Sequence, residues 1–179
     1  MCFLPRLPRC QNPDIPSELT IRPARRRDAN AIAGVHVRSR QAAYRGFIAE
    51  ELLASPSVAE RARSWRGWLA AAGSETIVAE SARGIVGFCT TVWGRGAAGC
   101  EIAGLYIEPE LVRRGIGSAL LGAALEAVRA NGAGAVTLRV LEANEPARAF
   151  YDRFGFAADG DRELDERTGE PVISMRLEL

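Results

Sequence analysis

Hydrophobic residues recur along this chain with two spacings, one typical of strands and one typical of helices. Alternating or continuous apolar runs predict seven strands, at 19–23, 75–80, 84–93, 100–107, 135–141, from 155–158 onward, and at 172–179. Apolar residues three and four apart predict helices at 28–44, 48–54, 57–72, 115–131 and 145–154. Capping residues support these boundaries, because Asp28 is a favourable N-cap and Ser57 with Glu60 forms a capping box. Asn131 followed by Gly132 is typical of a helix C-terminus.

The order of these elements predicts one domain of the mixed α/β class. Apart from the short helix at 48–54, the order is β-α-α-β-β-β-α-β-α-β-β. The three consecutive strands within 75–107 are predicted to be antiparallel, with a glycine-rich turn at 94–99 before the third. Gly104 inside that third strand suggests a β-bulge, which would change the face on which Glu101 lies. At 179 residues the chain has the length of one domain with its own core.

Composition argues against several classes of protein. A net charge of +1 gives no electrostatic reason to expect nucleic acid or an anionic membrane as a partner. One histidine and four cysteines without a Cys-x-x-Cys pair argue against a metal site. No apolar stretch approaches the roughly 18 residues of a membrane span. Residues 1–18 form a leader that is predicted to be poorly ordered and lacks the apolar core of a signal peptide, so the expected location is the cytoplasm.

The junction after the fourth predicted strand places a basic, glycine-containing loop before a helix. The helix N-terminus presents unpaired N–H groups, and Gly115 and Gly117 leave the backbone open to a ligand. Arg113 and Arg114 add forked donors that suit a pyrophosphate. This segment does not match a Walker loop, because no lysine follows Gly117. It does not match a dinucleotide-binding fingerprint either, because Leu120 stands where that motif has its third glycine. These residues alone leave two interpretations open: a phosphate site, or an ordinary helix start with a solvated arginine pair.

Two stretches resemble motifs of the GNAT superfamily of acyl-CoA-dependent N-acyltransferases. Residues 112–117 match its Gln/Arg-x-x-Gly-x-Gly/Ala loop except at Val112, and residues 144–156 match all specified positions of Asn-x-x-Ala-x-x-Phe-Tyr-x-x-x-Gly-Phe. The resemblance covers 19–179, and it implies a single GNAT domain. The implied fold is a mixed central sheet of about seven strands flanked by helices, splayed between the fourth and fifth strands. Residues 35–46 are also similar to a bacterial subgroup in which tryptophan often stands at the place of Arg40.

The resemblance implies acetyl-CoA as co-substrate and no metal. The pantetheine arm would lie between the splayed strands and pair with the main chain of 105–107, where one amide would stabilise the oxyanion of the tetrahedral intermediate. The pyrophosphate would meet the amides of 113–118, and Asn144 and Ala147 would border the thiol end. The implied cofactor-binding residues are Leu105, Tyr106, Ile107, Val112, Arg113, Arg114, Gly115, Ile116, Gly117, Ser118, Asn144, Ala147 and Tyr151.

Tyr151 and Glu101 are the candidate catalytic residues. Tyr151, one helical turn after Ala147, would protonate the departing CoA thiolate; its alternative role is that of a core aromatic residue. The resemblance implies a base at Glu101, which matches the place on the central strand where some members of the family keep a catalytic glutamate. It lies about 13 Å of strand upstream of Leu105, so it would act through water; its alternative role is a salt bridge or an edge carboxylate. His36, the single histidine, is a second candidate base or a packed residue of the acceptor groove. Several members of the family work without a dedicated base.

The leading prediction is an enzyme that moves an acetyl group from acetyl-CoA to a primary amine by direct attack in a ternary complex. A peptide N-terminus, a lysine side chain and a small metabolite or drug amine all remain open as acceptors. A second interpretation is an acyl-CoA-binding sensor or scaffold without turnover, and a third is a nucleotide-binding α/β domain. The sequence leaves open whether the chain is a monomer or a homodimer.

Overall fold

The structure, a computed structural model, describes residues 19–46, 48, 56–94, 99–166 and 168–179. The strands in this part of the chain are β1 Thr20–Pro23, β2 Ser74–Ser81, β3 Gly84–Trp93, β4 Cys100–Ile107, β5 Ala135–Leu141, β6 Ala157–Leu164 and β7 Pro171–Glu178. The α-helices are α1 Ala29–Tyr44, α2 Val58–Trp68, α3 Ile116–Ala130 and α4 Glu145–Asp152. The predicted leader at 1–18, all but the first residue of the short helix at 48–54, and the middle of the turn at 94–99 lie outside the described residues.

The strands form one mixed sheet in the order β1-β2-β3-β4-β5-β7-β6. Neighbouring strands in the described part of the chain are antiparallel, except β4 and β5, which are parallel. The predicted mixed sheet of seven strands is therefore confirmed. The nucleotide-binding interpretation requires a mostly parallel, doubly wound sheet, and this sheet is not one.

Helices pack on both faces of the sheet. Under α3, buried residues such as Leu120 meet Val136 of β5 in the larger core. α1 and α2 pack on the opposite face, where Trp65 meets Phe88 of β3. Successive strand residues point to opposite faces, which explains why Phe88 belongs to one core and Cys89 to the other.

The ends of the elements agree with the sequence prediction to within a few residues. α3 ends as predicted, because Gly132 has φ +80° and donates its N–H to the Arg129 carbonyl at 2.9 Å. α2 ends at Trp68 rather than near residue 72, and α4 ends at Asp152 rather than at 154. β6 begins two residues later than predicted and continues to Leu164.

Asp28 occupies the N-cap position of α1, but its side chain does not cap that helix. Its carboxylate accepts hydrogen bonds from the Arg25 N–H and from Arg22 Nη1, both at 2.7 Å. Arg22 also donates through Nε to Glu80 at 2.6 Å. Burial alone would raise the pKa of Asp28, but the bonds from Arg22 and Arg25 lower it below its usual range. This cluster ties β1 and the start of α1 to β2.

Two general features concern membranes and metals. None of the helices in the described ranges combines the length and the apolar character needed to cross a membrane. Among these same residues, His, Cys, Asp and Glu side chains do not gather in threes as a metal site would require. Cys89 and Cys100 are buried free thiols, and burial raises the pKa of Cys89 to about 12.

Candidate active site

The parallel strands β4 and β5 separate after two residue pairs. Glu101 pairs with Thr137 and Ile102 pairs with Leu138, and the register of these two strands ends there. Beyond that point β4 continues beside β3, and β5 continues beside β7. The main-chain groups along the inner edges of the split are therefore no longer used to join β4 to β5. The predicted splay between the fourth and fifth strands is confirmed.

A β-bulge interrupts β4 next to this split. Thr90 of β3 pairs with Gly104, whereas Thr91 pairs with Ile102, so Ala103 is the extra residue. The bulge that Gly104 suggested in the sequence is therefore present.

The bulge changes which side chains share a face of β4. Ile102 and Leu105 both contact the core under α3, although three positions separate them. Glu101 and Tyr106 consequently both point to the opposite face, toward α1 and α2, where both line a common cleft.

The cleft has a volume of about 700 Å³, within the range of small-molecule sites. β3 and β4 form its floor, α1 and α2 form one wall, and β5 with the β6–β7 connection forms the other. Polar and aromatic side chains of these walls include His36, Arg40, Tyr44, Arg61, Trp65, Trp68, Arg139, Glu163, Asp165 and Glu166.

Glu101 lies where β4 and β5 are still paired, and its side chain is 7% exposed. Its charge reaches the neighbouring thiol, because burial first, then Glu75 and Glu101, raise the pKa of Cys100 to about 11. The carboxylate lines the cleft rather than an outer edge of the sheet, so a molecule in the cleft would meet it.

The three tyrosines of the chain lie close enough together to influence one another's ionisation. The charge of the Tyr106 phenol and burial raise the pKa of Tyr44 of α1, and a hydrogen bond with Tyr106 and the nearby Tyr151 raise it further. The Tyr106 ring lies over Gly104, where a Cβ would come within 2.9 Å of Tyr106 Cε2. Glycine at this position therefore permits the orientation of the Tyr106 ring.

His36 belongs to an aromatic wall of the cleft. Trp65 Nε1 donates a hydrogen bond to His36 Nδ1 at 3.2 Å, and the His36 ring centroid lies 4.5 Å from that of Tyr106 and 5.6 Å from that of Phe88. The imidazole thus accepts a hydrogen bond through Nδ1. This location agrees with the packed, groove-lining alternative for His36.

Tyr151 lies on the other face of the sheet, on α4. Its ring packs between Phe150 and Phe156, with centroid distances of 5.3 Å and 5.8 Å. Burial raises the pKa of Tyr151, and Cys89 and Tyr106 raise it further. The phenol is therefore protonated at neutral pH.

The start of α4 is fixed by Asn144, whose Oδ1 accepts the Ala147 N–H at 3.2 Å. The Asn144 side chain thus caps the helix that carries Tyr151. The later motif of the sequence builds and orients this helix.

The predicted phosphate loop has an unusual backbone. Arg113 and Gly115 have φ angles of +62° and +78°, and Gly115 is the N-cap of α3. Arg113 and Arg114 are exposed, as is Val112 with 47% of its surface. The first N–H groups of α3, at 116–118, have no acceptor within the helix, and this is the arrangement that an anion requires.

Two loop residues face the core instead. Ile116 is fully buried in the core under α3. A Cβ on Gly117 would lie 3.0 Å from Ile107 Cδ1 and 3.5 Å from Phe150 Cζ. Gly117 therefore lets α3 approach β4 and α4 closely, and a larger residue there would disturb this packing as well as any ligand.

Sequence reasoning did not place the charged residues of the cleft walls. Arg40 falls on one stripe of α1 with His36 and Tyr44, four residues to either side, and this spacing was a usable signal. Arg139 forms an ion pair with Glu163, and both lie in the cleft wall. The pairing of β6 with β7 brings Glu163 there, and no local pattern encodes that long-range contact.

Comparison with known proteins gives one match to a family model, described as Acetyltransferase (GNAT) family, over residues 38–156. A mycothiol acetyltransferase from Acidimicrobium ferrooxidans is 35% identical over 101 residues, which cover 55% of this chain and 32% of that protein. The chain thus spans about a third of the length of this relative.

Solved structures share the fold over nearly the whole chain. The PaiA N-acetyltransferase from Thermoplasma acidophilum, crystallised with coenzyme A, has a TM-score of 0.73 at 22% identity, over 89% of this chain and 99% of that one. An N-acetyltransferase from Staphylococcus aureus Mu50 has a TM-score of 0.71 at 20% identity, over 90% and 99%. At these identities the likeness concerns the fold.

Proposed function

The chain belongs to the acetyltransferase (GNAT) family, and on that premise we propose that it transfers an acetyl group from acetyl-CoA to a primary amine, which attacks the thioester directly in a ternary complex. Membership of the family supports acyl transfer from CoA. The proposal of direct transfer to an amine rests on the split between β4 and β5. Glu101 lies in a cleft on one face of the sheet beside this split, and Tyr151 lies on the opposite face.

The residues around the split suit the parts of acetyl-CoA. The inner edge of β4 at 105–107 offers main-chain groups to the pantetheine arm, and one N–H there would stabilise negative charge that develops on the carbonyl oxygen. The main-chain amides between Arg113 and Ser118 and the two exposed arginines would hold the pyrophosphate. Val112 differs from the family motif only in its side chain, which the main-chain contacts do not need. Asn144 and Ala147 would border the thiol end, as the first turn of α4.

Glu101 is the proposed base. An amine reaches the enzyme mostly as ammonium, and it must lose a proton before it becomes a nucleophile. Glu101 lines the cleft by which the amine would enter, and a water molecule would bridge the remaining distance to the split.

Tyr151 is the proposed acid for the thiolate leaving group. Burial keeps its phenol protonated, and the same apolar surroundings raise the pKa of the Cys89 thiol to about 12. A thiolate released among such residues would be similarly basic, so the phenol can give it a proton at little cost.

Direct attack is favoured over an acetylated enzyme. Cys89 and Cys100 are the cysteines among the described residues, and both are buried thiols with raised pKa values of about 12 and 11. Such thiols are poor nucleophiles because little thiolate is present near neutral pH.

A turnover assay tests the proposal. The purified chain is incubated with acetyl-CoA and a panel of primary amines that includes amino acids, small diamines and peptides with a free N-terminus. Release of free CoA thiol that depends on one class of amine is expected, and initial rates against both substrates should give intersecting lines. Calorimetric binding of CoA without thiol release from any amine would favour the sensor or scaffold interpretation instead.

A further inference from the structure

Two arginines from different helices line the same part of the cleft. Arg40 lies on α1 and Arg61 lies on α2, and both side chains line the large cleft. Both also border a narrow recess at its end, together with His36, Val37 and Pro56. The two guanidinium groups therefore share one wall of the proposed acceptor groove.

The helix geometry holds both arginines at this wall. Arg40 is one turn from His36 and one turn from Tyr44, and both of these neighbours contact Tyr106. Arg61 is one turn before Trp65, whose indole N–H is bonded to His36. The two arginines thus share their helix faces with residues of the aromatic wall.

Three acidic residues of the cleft lie on the wall opposite the two arginines. Glu163 is ion-paired with Arg139, and Asp165 accepts hydrogen bonds from the N–H and hydroxyl of Thr168 within its own turn, at 2.9 Å and 2.8 Å. Glu166 is exposed on the same connection. These groups lie on the hairpin wall, opposite the helices that carry the arginines, and Glu101 lies at the floor beside the split.

The helical wall therefore carries two guanidinium groups. Guanidinium groups have forked donors that match a carboxylate or a phosphate. The aromatic side chains between this wall and the floor, Trp65, Phe88 and Tyr106, offer an apolar surface to the body of a small molecule.

We infer that the acceptor is a small amine that also carries an anionic group, a carboxylate or a phosphate, which Arg40 and Arg61 bind while the amine faces Glu101. The inference rests on the proposed function, because it assigns the substrate class of the same groove. A cleft of about 700 Å³ with charges on three sides suits such a zwitterion better than an extended peptide.

Matched pairs of amines test this inference by binding and by turnover separately. L-Tyrosine is compared with tyramine, and phosphoethanolamine with ethanolamine, so the pairs also distinguish carboxylate from phosphate. Binding is measured by calorimetry on the CoA-saturated chain, and turnover is measured by thiol release from acetyl-CoA. At least one anionic member should bind about 10- to 100-fold more tightly than its partner without the anionic group, as expected for a charge-assisted contact.

Variants assign the preference to the two arginines. Arg40→Gln and Arg61→Gln should each reduce that preference about 10-fold or more, and Arg40→Lys should retain part of it. Arg63→Gln is the matched control, because Arg63 is an exposed residue of α2 that does not line the cleft. Thermal melting of each variant reports whether the fold is kept.

The outcomes separate this inference from the proposed function. The inference is overturned if neither anionic amine binds more tightly than its partner without the anionic group, or if the preference survives in both glutamine variants. Arginine-dependent binding of an anionic amine without thiol release would support it and contradict the proposed turnover. Equal thiol release with both members of each pair would support the proposed enzyme activity and overturn only the inference about the anionic group.

Discussion

Glu101 and Tyr106 line the same cleft although they lie five positions apart on one strand. In a regular strand an odd separation places two side chains on opposite faces. The extra residue Ala103 reverses the alternation between them. A carboxylate and a phenol ring therefore meet in one groove because β4 is irregular there.

Gly104→Ala is expected to lower turnover about 10- to 100-fold, because the new Cβ would displace the Tyr106 ring from a position 2.9 Å away. Steady-state rates of thiol release measure this effect. The fold should survive, since the change adds one methyl group beside a cleft. Wild-type turnover in a folded Gly104→Ala variant would show that the position of the Tyr106 ring does not affect turnover.

Gly122→Ala is the matched control for that substitution. Gly122 lies inside α3, and apart from its chain neighbours and the backbone of its own helix no atom is within 4 Å of the position that its Cβ would take. Alanine there should stabilise the chain by about 0.5–1 kcal/mol and leave turnover unchanged.

Glu101→Gln is expected to reduce kcat/KM about 100-fold at neutral pH, since the amide keeps the size of the side chain but cannot accept the proton of the amine. The deficit should shrink as the pH rises toward the pKa of the amine, because free amine then forms without a base. Rates measured across pH for both proteins check this. Glu126→Gln, at an exposed position of α3, is the control. A deficit that does not depend on pH would indicate a structural role for Glu101.

Tyr151→Phe is expected to lower kcat about 100-fold and to leave the affinity for CoA nearly unchanged, because only the proton donor is lost while the ring packing against Phe150 and Phe156 is kept. Thiol release gives kcat, and calorimetry gives the dissociation constant. Unchanged kcat would exclude Tyr151 as the acid.

Arg113→Gln and Arg114→Gln are each expected to weaken CoA binding about 10-fold, because each removes a charged donor from the exposed loop. The wild-type affinity should also fall with added salt, and more steeply than that of either variant. Arg129→Gln, at the opposite end of α3, should bind CoA as the wild type does. These variants test the loop more cleanly than a change at Gly117, which also affects packing against Ile107.

Arg22→Met is expected to destabilise the chain by about 3 kcal/mol at pH 7, because it leaves Asp28 buried without its main partner. Arg22 lowers the pKa of both Asp28 and Glu80, so their contribution is complete above the ordinary values of 3.8 and 4.5. It is lost as the pH falls through the lower folded-state values. Urea unfolding should therefore show a difference between the two proteins that is constant near neutrality and decreases in acid. Arg26→Met, an exposed neighbour, should change stability little at any pH.

The sequence predicted those parts of the fold that local patterns encode. Apolar spacing located the strands and helices, and Gly132 marked the end of α3 as expected. Gly104 even indicated the bulge. Asp28 was predicted wrongly as a capping side chain, because the competing partner Arg22 acts through tertiary structure that no local rule includes.

The parts of the candidate site that are continuous motifs could be predicted from the sequence. The cleft, which combines distant segments of the chain, could not. The loop before α3 and the helix that carries Tyr151 are each continuous in sequence. The cleft instead combines α1 and α2 with the β6–β7 connection, so residues such as Arg61 and Glu166 become neighbours of the site only after the chain folds. A contact between distant segments has no period that a single sequence can display.

Because only two residue pairs join β4 to β5, the boundary between these strands is the weakest connection within the sheet, and we call it the seam. On one side β1 to β4 form a continuous antiparallel unit, and on the other β5, β7 and β6 form a second one. Small openings of the molecule should concentrate there, because few main-chain bonds resist them. Amide protons near Ile102 and Leu138 should then exchange with solvent faster than those in the middle of β3. A ligand that occupies the split as an additional strand would close the seam, and its binding should be visible as slowed exchange on both sides at once.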